Sequence, residues 1–457
     1  MAPNAVTSRQ RRANAYAAGM SVSVLAGRMA RLLDAAEAAS PVEAVQSVTR
    51  ELAEAFGATE VSFLIADLSG RALVRLAHVP HGSEGEPTSA EPPAANERQE
   101  AAERATVLPF DGGPAEQAVR TQTVQVVAPG ATGEGGSVDE WTLLAPMTER
   151  GEVLGVLEML LPHEPDEDTR TEVCQLAHFL GFVVIANRRH TDLFEWGQRS
   201  RPSSLSAEIQ QRLLPASRTC EAGAFTLAAW LEPASDIAGD TFDYSLARDQ
   251  LHLSITDAMG HGVGAALTAT LSVGALRGAR RRGASLLEQM AATNGALLEH
   301  SSERGADDYV TGVVGRLDLS QGRLELVNAG HVPPYLARGG SVERIDLPAN
   351  LPLGLFPDTD YRSTVVDLQP GDRVVIVTDG MLERNAADLD LATVIGETQF
   401  LHPREAARHL ADRVLTATGH DLRDDATILL FDWYGEHGQA RSTVFGADPA
   451  RASARLT

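Results

Sequence analysis

From residue 22 to residue 56 apolar side chains recur at intervals of three and four, which predicts helices over about Val22 to Ala38 and Pro41 to Phe56. Pro41 suits a first helical position because its fixed φ is already helical. Strand patterns follow. Val61 to Ala66 and Ala72 to Leu76 read as strands around the turn Asp67-Leu68-Ser69-Gly70. Val124 to Val127, Trp141 to Met147 and Val153 to Leu161 follow, the last two joined by Thr148-Glu149-Arg150-Gly151. Thr169 and Glu172 form a Thr-x-x-Glu capping box, expected to open a long helix through Val173, Leu176, Phe179, Leu180 and Val183. Between Pro80 and about Arg104 the chain is rich in Pro, Glu, Gly and Ala and lacks periodicity, so a loop is expected there.

Leu205, Ile209 and Leu213 stand four apart, the mark of a helix that either packs on the following domain or pairs with a second copy and carries a signal. Beyond Ala216 the pattern is one of strands, broken by a long helix after Gly262 and another near Pro403 to Ala417. The expected organisation is an N-terminal segment (1–30), a first domain (31–190), a helical connector (191–215), a second domain (216–435) and an aperiodic tail (436–457).

The 457 residues, 43% apolar and 22% charged, fit two or three soluble domains. The formal net charge of −23 argues against nucleic acid and anionic membranes as partners and favours divalent cations. Cys174 and Cys220, the two cysteines, are too few for a disulfide framework or a zinc cage and suit a reducing cytoplasm. Arg9, Arg11 and Arg12 before an uncharged stretch resemble a basic signal region, but the stretch is Ala, Ser and Gly and runs into an amphipathic helix. The longest apolar run elsewhere, Phe179 to Ala186, falls well short of the roughly 18 residues of a membrane span. No membrane association is expected.

The chemistry lies where aspartates meet strands. Leu251 to Thr256 alternates as a strand and ends at Asp257, ahead of Ala258-Met259-Gly260-His261-Gly262. Arg373 to Thr378 is a nearly continuous apolar strand that ends at Asp379-Gly380, and Ala426 to Phe431 begins just after Asp424 and Asp425. Asp240 follows Gly239 and precedes Asp243. One such aspartate ordinarily accepts backbone hydrogen bonds in a turn or cap. Several gathered at the mouths of buried strands repel one another unless cations neutralise them, and an all-oxygen donor set suits Mg²⁺ or Mn²⁺. Two such ions about 3.5 to 4 Å apart acidify a shared water and hold a phosphoryl oxygen for in-line attack, which is phosphatase chemistry.

The segments LEPASDIAGDTFDY (231–244), LSITDAMGHGVGAALTAT (253–270), LELVNAGHVPPYL (324–336), VVIVTDGMLERNA (374–386) and RDDATILLF (423–431) resemble, in order and spacing, the PPM family of metal-dependent, type 2C-like serine/threonine phosphatases, in its bacterial SpoIIE/RsbU branch. The first domain resembles a GAF sensor domain in its element order and in the stretch GEVLGVLEM. The resemblance implies an α+β protein of two domains, a GAF-like antiparallel sheet flanked by helices followed by an α-β-β-α sandwich of two antiparallel sheets. It implies Asp240 and Asp257 as metal ligands, Asp257 bridging two Mn²⁺ or Mg²⁺ ions, with the main-chain carbonyl of Ala258 as a further ligand and Asp379 and Asp424 completing the second site. Asp425 is an alternative to Asp424, since adjacent carboxylates are not separable by sequence.

Gly-Gly-Asp-Trp-Tyr-Asp of the family reads Ala238-Gly239-Asp240-Thr241-Phe242-Asp243 here, a change expected to alter substrate fit before metal binding. Asp243 is expected either to act on the metals through water or to stabilise a turn. His261 either contacts phosphate or bonds to its own loop; Asn328 and His331 end a strand that resembles the family's active-site edge, which makes His331 a candidate general acid. Thr311, after Asp307 and Asp308, reads as a strand residue. Arg384, between Glu383 and Asn385, either approaches phosphate or is a solvated surface charge. Arg277, Arg280, Arg281 and Arg282 are expected to end a helix, where cations suit the dipole. By resemblance the substrate is a phosphorylated STAS-type anti-anti-sigma factor, with a homodimer formed through the first domain and connector. The rival classes are an inactive PPM scaffold or binding protein and a small-molecule phosphoester hydrolase.

Overall fold

The computed structural model describes residues 25–67, 70–80, 106–131, 139–198, 204–234, 239–305, 308–382, 389–419, 422–435 and 446. The basic segment around Arg9 to Arg12, most of the expected loop 80–104 and of the tail 436–457, and Asp307, Glu383, Arg384 and Asn385 lie outside the described residues.

The N-terminal domain opens with helices α1 (25–38) and α2 (Ala44–Phe56). Pro41 heads a turn, and α2 starts only at Ala44 after the cap residue Glu43. Strands β1 (Glu60–Ala66), β2 (Ala72–Pro80) and β3 (Thr106–Pro109) follow, then a short helix α3 (Pro114–Thr121), β4 (Gln125–Val127), β5 (Trp141–Glu149), β6 (Glu152–Leu161) and helix α4 (Glu167–Asn187). The six strands form one antiparallel sheet in the order β3-β2-β1-β6-β5-β4.

Alternation along β1 sends Phe63 and Ile65 to the face covered by Leu52 of α2 and Leu176 and Leu180 of α4, while Leu64 meets Ala118 and Val119 of α3 on the other. Both faces are covered, which is why β1 reads as a continuous apolar run. α4 begins two residues before the expected capping box. Its cap is Asp166, which accepts a hydrogen bond from the Thr169 amide at 2.8 Å; Thr169 is therefore an interior first-turn residue and donates through its backbone.

Past the short helix α5 (Leu193–Gly197), the connector helix α6 (Leu205–Leu213) lies against the C-terminal domain. That domain runs β7 (Thr219–Glu221), β8 (Phe225–Glu232), β9 (Asp240–Leu246), β10 (Gln250–Ala258), α7 (Gly262–Arg281), α8 (Leu286–Arg304), β11 (Val310–Asp318), β12 (Arg323–Ala329), β13 (Tyr335–Arg338), β14 (Ser341–Arg344), β15 (Thr364–Asp367), β16 (Arg373–Val377), a 3₁₀ turn Asp379–Leu382, α9 (Leu391–Glu397), α10 (Pro403–Ala417) and β17 (Ala426–Trp433).

Two antiparallel sheets result, β15-β12-β11-β10-β9 and β14-β13-β16-β17-β8-β7. Phe242, Leu253 and Ile255 of the first interdigitate with Leu227, Ile376 and Phe431 of the second. α7 and α8 cover the outer face of the first sheet through Leu276, Met290 and Leu297, and α9 and α10 cover the second through Val394, Ile395 and Leu410. Each fully buried Leu or Phe contributes roughly 1.5 to 3 kcal/mol. The layers are α-β-β-α, as expected for the second domain.

Polar contacts join the two domains. The turn between β5 and β6 docks on β7, where the Glu221 amide donates to the Arg150 carbonyl at 2.9 Å. Arg404 of α10 donates to the carbonyls of Gly151 (2.9 Å) and Arg120 (3.0 Å), and Arg71 pairs with Glu232 (2.8 Å) and Asp412 (3.0 Å).

Candidate metal centre and active site

Asp240 opens β9 and Asp257 lies near the end of β10, and the register sets these two residues directly opposite each other. Side chains at such a pair stand only about 4.5 to 5.5 Å apart at Cβ, and like charges there repel. The chain arrives through Gly239, whose missing side chain leaves room for the Ala258 carbonyl oxygen: a Cβ on Gly239 would sit 2.5 Å from it. β16 of the second sheet delivers Thr378 and Asp379, and β17 starts beside Asp424 and Asp425. Gly380 packs its Cα against the Asp425 carbonyl, a contact that any side chain would obstruct.

Four strand ends from both sheets thus bring their aspartates to one edge of the sandwich. Asp240 and Asp425 are 2% and 1% exposed, Asp257 and Asp424 are half-buried, and Asp379 faces solvent. Burial, then the charges of Asp257 and Asp425, hold the Asp240 carboxyl well above its ordinary range, against the opposing pull of two threonine hydroxyls. Burial, then Asp379, Asp424 and Asp425, pushes Asp257 up to about 7. Asp425 also stands at about 7, raised chiefly by burial and pulled back by its hydrogen bonds with Gln210 and the Ala234 amide.

The hydrogen bonds around these groups come from residues that the motif reading passed over. Thr378 and Thr427 donate to Asp240 Oδ2 at 2.7 and 2.6 Å. Gln210 of α6, fully buried, donates through Nε2 to the Asp240 carbonyl at 2.8 Å and to Asp425 Oδ2 at 2.6 Å. The Ala234 amide donates to Asp425 Oδ1 at 2.9 Å. Both oxygens of Asp425 are therefore engaged, while Asp424 accepts from the Asp425 amide through Oδ1 at 2.8 Å. The threonines had a legible signal, a lone hydroxyl in each otherwise apolar strand beside an aspartate. Gln210 had none, because the spacing of four pointed to Leu205, Ile209 and Leu213.

Asp243 lies on the opposite side of β9 from Asp240, as an odd offset along a strand requires. It accepts from Arg277 (2.9 and 3.2 Å) and Arg280 (3.0 Å) of α7, a clamp between sheet and helix in place of the expected water contact or turn. Arg280 and Arg281 do sit in the last turn of α7, and Arg277 donates also to the Leu213 carbonyl at the end of α6. His261 is exposed at the head of α7 and makes no side-chain capping bond. Asn328 and His331 lock their own turn, Asn328 donating to the His331 carbonyl (2.9 Å) and accepting from its amide (2.7 Å).

The His331 ring is buried 2.9 Å from Thr311, which lies opposite Asp257 in the β10–β11 register. Burial lowers its pKa to about 4, so it is neutral at physiological pH and unsuited to the general-acid role considered for it. Among the described residues no three carboxylate, histidine or cysteine groups are close enough to cage an ion as they stand. The all-oxygen donor set and the raised-pKa carboxyls nonetheless fit a hard divalent cation, whose charge would offset their mutual repulsion.

A family model described as Stage II sporulation protein E (SpoIIE) matches residues 247–434. Most of the C-terminal domain thus resembles the SpoIIE family. The chain is similar to phosphoserine phosphatase RsbU of Bacillus subtilis, 23% identical over 289 residues that cover 60% of this chain and 83% of that one. It is also similar to phosphoserine phosphatase RsbP of the same organism, 25% identical over 214 residues, 45% of this chain and 51% of that one. Among solved structures, the RsbU and RsbW domains of Rv1364c from Mycobacterium tuberculosis align at 27% identity and TM-score 0.41, covering 46% of this chain and 60% of that one. The SpoIIE-family match takes in Asp257, Asp379, Asp424 and Asp425, and Asp240 lies just ahead of it.

Proposed function

We propose that the chain is a protein serine/threonine phosphatase dependent on two Mn²⁺ or Mg²⁺ ions, that it acts on a phosphorylated STAS-type anti-anti-sigma regulator, and that its GAF-like N-terminal domain is the sensor. The observation that carries this reading is the convergence of Asp240, Asp257, Asp379 and the Asp424-Asp425 pair from four strand ends of two sheets.

Asp240, Asp257, Asp379 and Asp424 would hold the ions together with the Ala258 carbonyl. Asp425, with both oxygens engaged, orients the strand end beside them. When bound, the ions lower the pKa of water and offset the charge of the phosphoryl group. Thr378 and Thr427 fix the rotamer of Asp240, and Gln210 ties the same residue to the connector helix. The phosphoserine substrate class is supported by the relatives RsbU and RsbP, whose names carry that activity.

Cys174 and Cys220 are buried and in no disulfide, and the Cys174 thiol is pushed up to about 12, which suits a reduced protein in the cytoplasm. Among the described residues no helix is long and apolar enough to cross a membrane. Exposed Phe182 of α4 and Leu205 of α6 are the apolar groups that support pairing of two copies through the N-terminal domain and connector.

The test is phosphate release from a phosphorylated STAS-domain protein by the full chain with Mn²⁺, compared with Asp379→Asn. Release should fall by more than the roughly 10- to 100-fold that outer contacts of a metal site cost. Release that survives both a chelator and Asp379→Asn would refute the reading. Release from p-nitrophenyl phosphate but from no phosphoprotein would move the function to small phosphoesters.

A further inference from the structure

Away from the carboxylates, a cavity of about 940 Å³ opens between the two domains. That volume lies in the range of small-molecule sites. One wall is made by β1, β6 and the end of α4, the other by residues 211–219, β8 and α10. A second, smaller space of about 30 Å³ lies beneath α3, between Leu64, Leu73 and Leu144.

Its charge runs against the rest of the molecule. Over the whole chain 62 acidic residues outnumber 39 basic ones, whereas the cavity is lined by six arginines and five carboxylates. Some of these pair with each other: Arg212 with Glu195 at 2.6 Å and Arg404 with Glu405 at 3.0 Å. Arg188 and Arg189, just past the end of α4, have no ion pair among the described residues. Arg218 lines the same cavity, half-buried; it donates to Gln211 Oε1 at 3.0 Å and feels the charges of Glu152, Asp67 and Glu232. Guanidinium groups in such an arrangement recognise phosphate or carboxylate oxygens through paired N–H donors.

We infer that this interdomain cavity binds a small, multiply charged phosphate anion of about nucleotide size, taken by Arg188 and Arg189 at the mouth and by Arg218 within. Because its walls belong to both domains, a bound anion would stabilise one relative placement of the sensor and the phosphatase. The inference does not depend on the phosphatase activity.

The test is calorimetric titration of the full chain, in EDTA so that the aspartate cluster recruits no phosphate through metal, with ATP and separately with inorganic tripolyphosphate. Saturable binding with a Kd below about 1 mM is expected for ATP, weakened at least about tenfold by Arg188→Ala/Arg189→Ala. Ala216→Trp, on the exposed rim, should close the cavity and abolish binding, while Asp379→Asn should leave it intact. Equal binding of tripolyphosphate would assign the site to the phosphate chain, and binding of ATP alone to the nucleotide. The inference is overturned by no saturable heat from either probe, by variants at Arg188, Arg189 and Ala216 that bind like the parent, or by loss of binding in Asp379→Asn.

Discussion

Removing a carboxylate from the aspartate cluster should make the metal-free protein more stable at alkaline pH while destroying its activity. Asp257 faces Asp240 directly and feels Asp379, Asp424 and Asp425, and its pKa stands near 7 where an isolated aspartate has 3.8. At about 1.36 kcal/mol per pH unit, that difference disfavours the ionised fold by an upper limit of roughly 4 kcal/mol. Asp257 is half-buried, so relaxation and solvent screening reduce the expected figure to about 1 to 3 kcal/mol. A raised carboxyl binds its proton more tightly in the folded chain than in the unfolded one. The cost is thus absent below about pH 3.8, grows as pH rises, and is complete above about pH 7.

Asp257→Asn keeps the shape and removes the charge. Urea unfolding in EDTA should give nearly equal stabilities for parent and variant at about pH 4, and at pH 8 a variant more stable by about 1 to 3 kcal/mol. Comparing the two chains cancels the buried histidines. His331, at about 4, and His402, lowered chiefly by burial, favour the fold as pH rises and would mask the effect in the parent alone. Saturating Mn²⁺ should reverse the order at pH 8, since only the parent keeps the full donor set. A difference that stays flat between pH 4 and 8, or a parent more stable than Asp257→Asn in EDTA at pH 8, would refute the claim that these carboxyls crowd one another.

Gln210→Ala removes the side-chain donor to the Asp240 carbonyl and to Asp425 Oδ2, so it should cost about 1.5 to 3 kcal/mol in urea unfolding and weaken Mn²⁺ binding about 10- to 100-fold. An unchanged Mn²⁺ titration would count against it. Asp243→Ala strands Arg277 and Arg280 and should destabilise by about 3 kcal/mol with Mn²⁺ affinity retained; a loss of affinity at constant stability would return Asp243 to the metal centre. His331→Gln should leave the pH profile of phosphate release unchanged between about pH 6 and 8, because the imidazole is already neutral there. Disappearance of a limb of that profile would restore it as an acid.

Strand and helix placement was legible wherever burial has a simple period. β16 is buried at every position and reads as one apolar run, and β10 alternates up to Asp257. α3 escaped because eight residues with a weak apolar stripe carry little periodicity; Pro114 at its head was the available sign. The capping box at Thr169 failed for a local reason, since Asp166, three residues earlier, offers the same hydrogen bond and starts the helix sooner. The five motifs pointed to the aspartates that the fold gathers at one edge of the sandwich, but whether a given side chain faces that cluster depends on strand parity. Asp243, three residues from Asp240, falls on the far side with the arginines.

The choice between Asp424 and Asp425 shows where sequence reading stops. Adjacent carboxylates in one loop have the same composition, spacing and neighbours, and nothing local ranks them. What separates them in the fold comes from two distant segments, Gln210 on the connector and the Ala234 amide after β8, which occupy both oxygens of Asp425 and bury it. Asp424 stays half-exposed, so a cation would reach it without displacing a buried hydrogen bond whose loss costs about 1 to 3 kcal/mol. Asp424→Asn should therefore weaken Mn²⁺ binding with little change in metal-free stability, and Asp425→Ala should lower stability because Gln210 and Ala234 lose their acceptor. If the chelated protein instead loses more stability from Asp424→Asn than from Asp425→Ala, the ligand and the brace have been assigned the wrong way round.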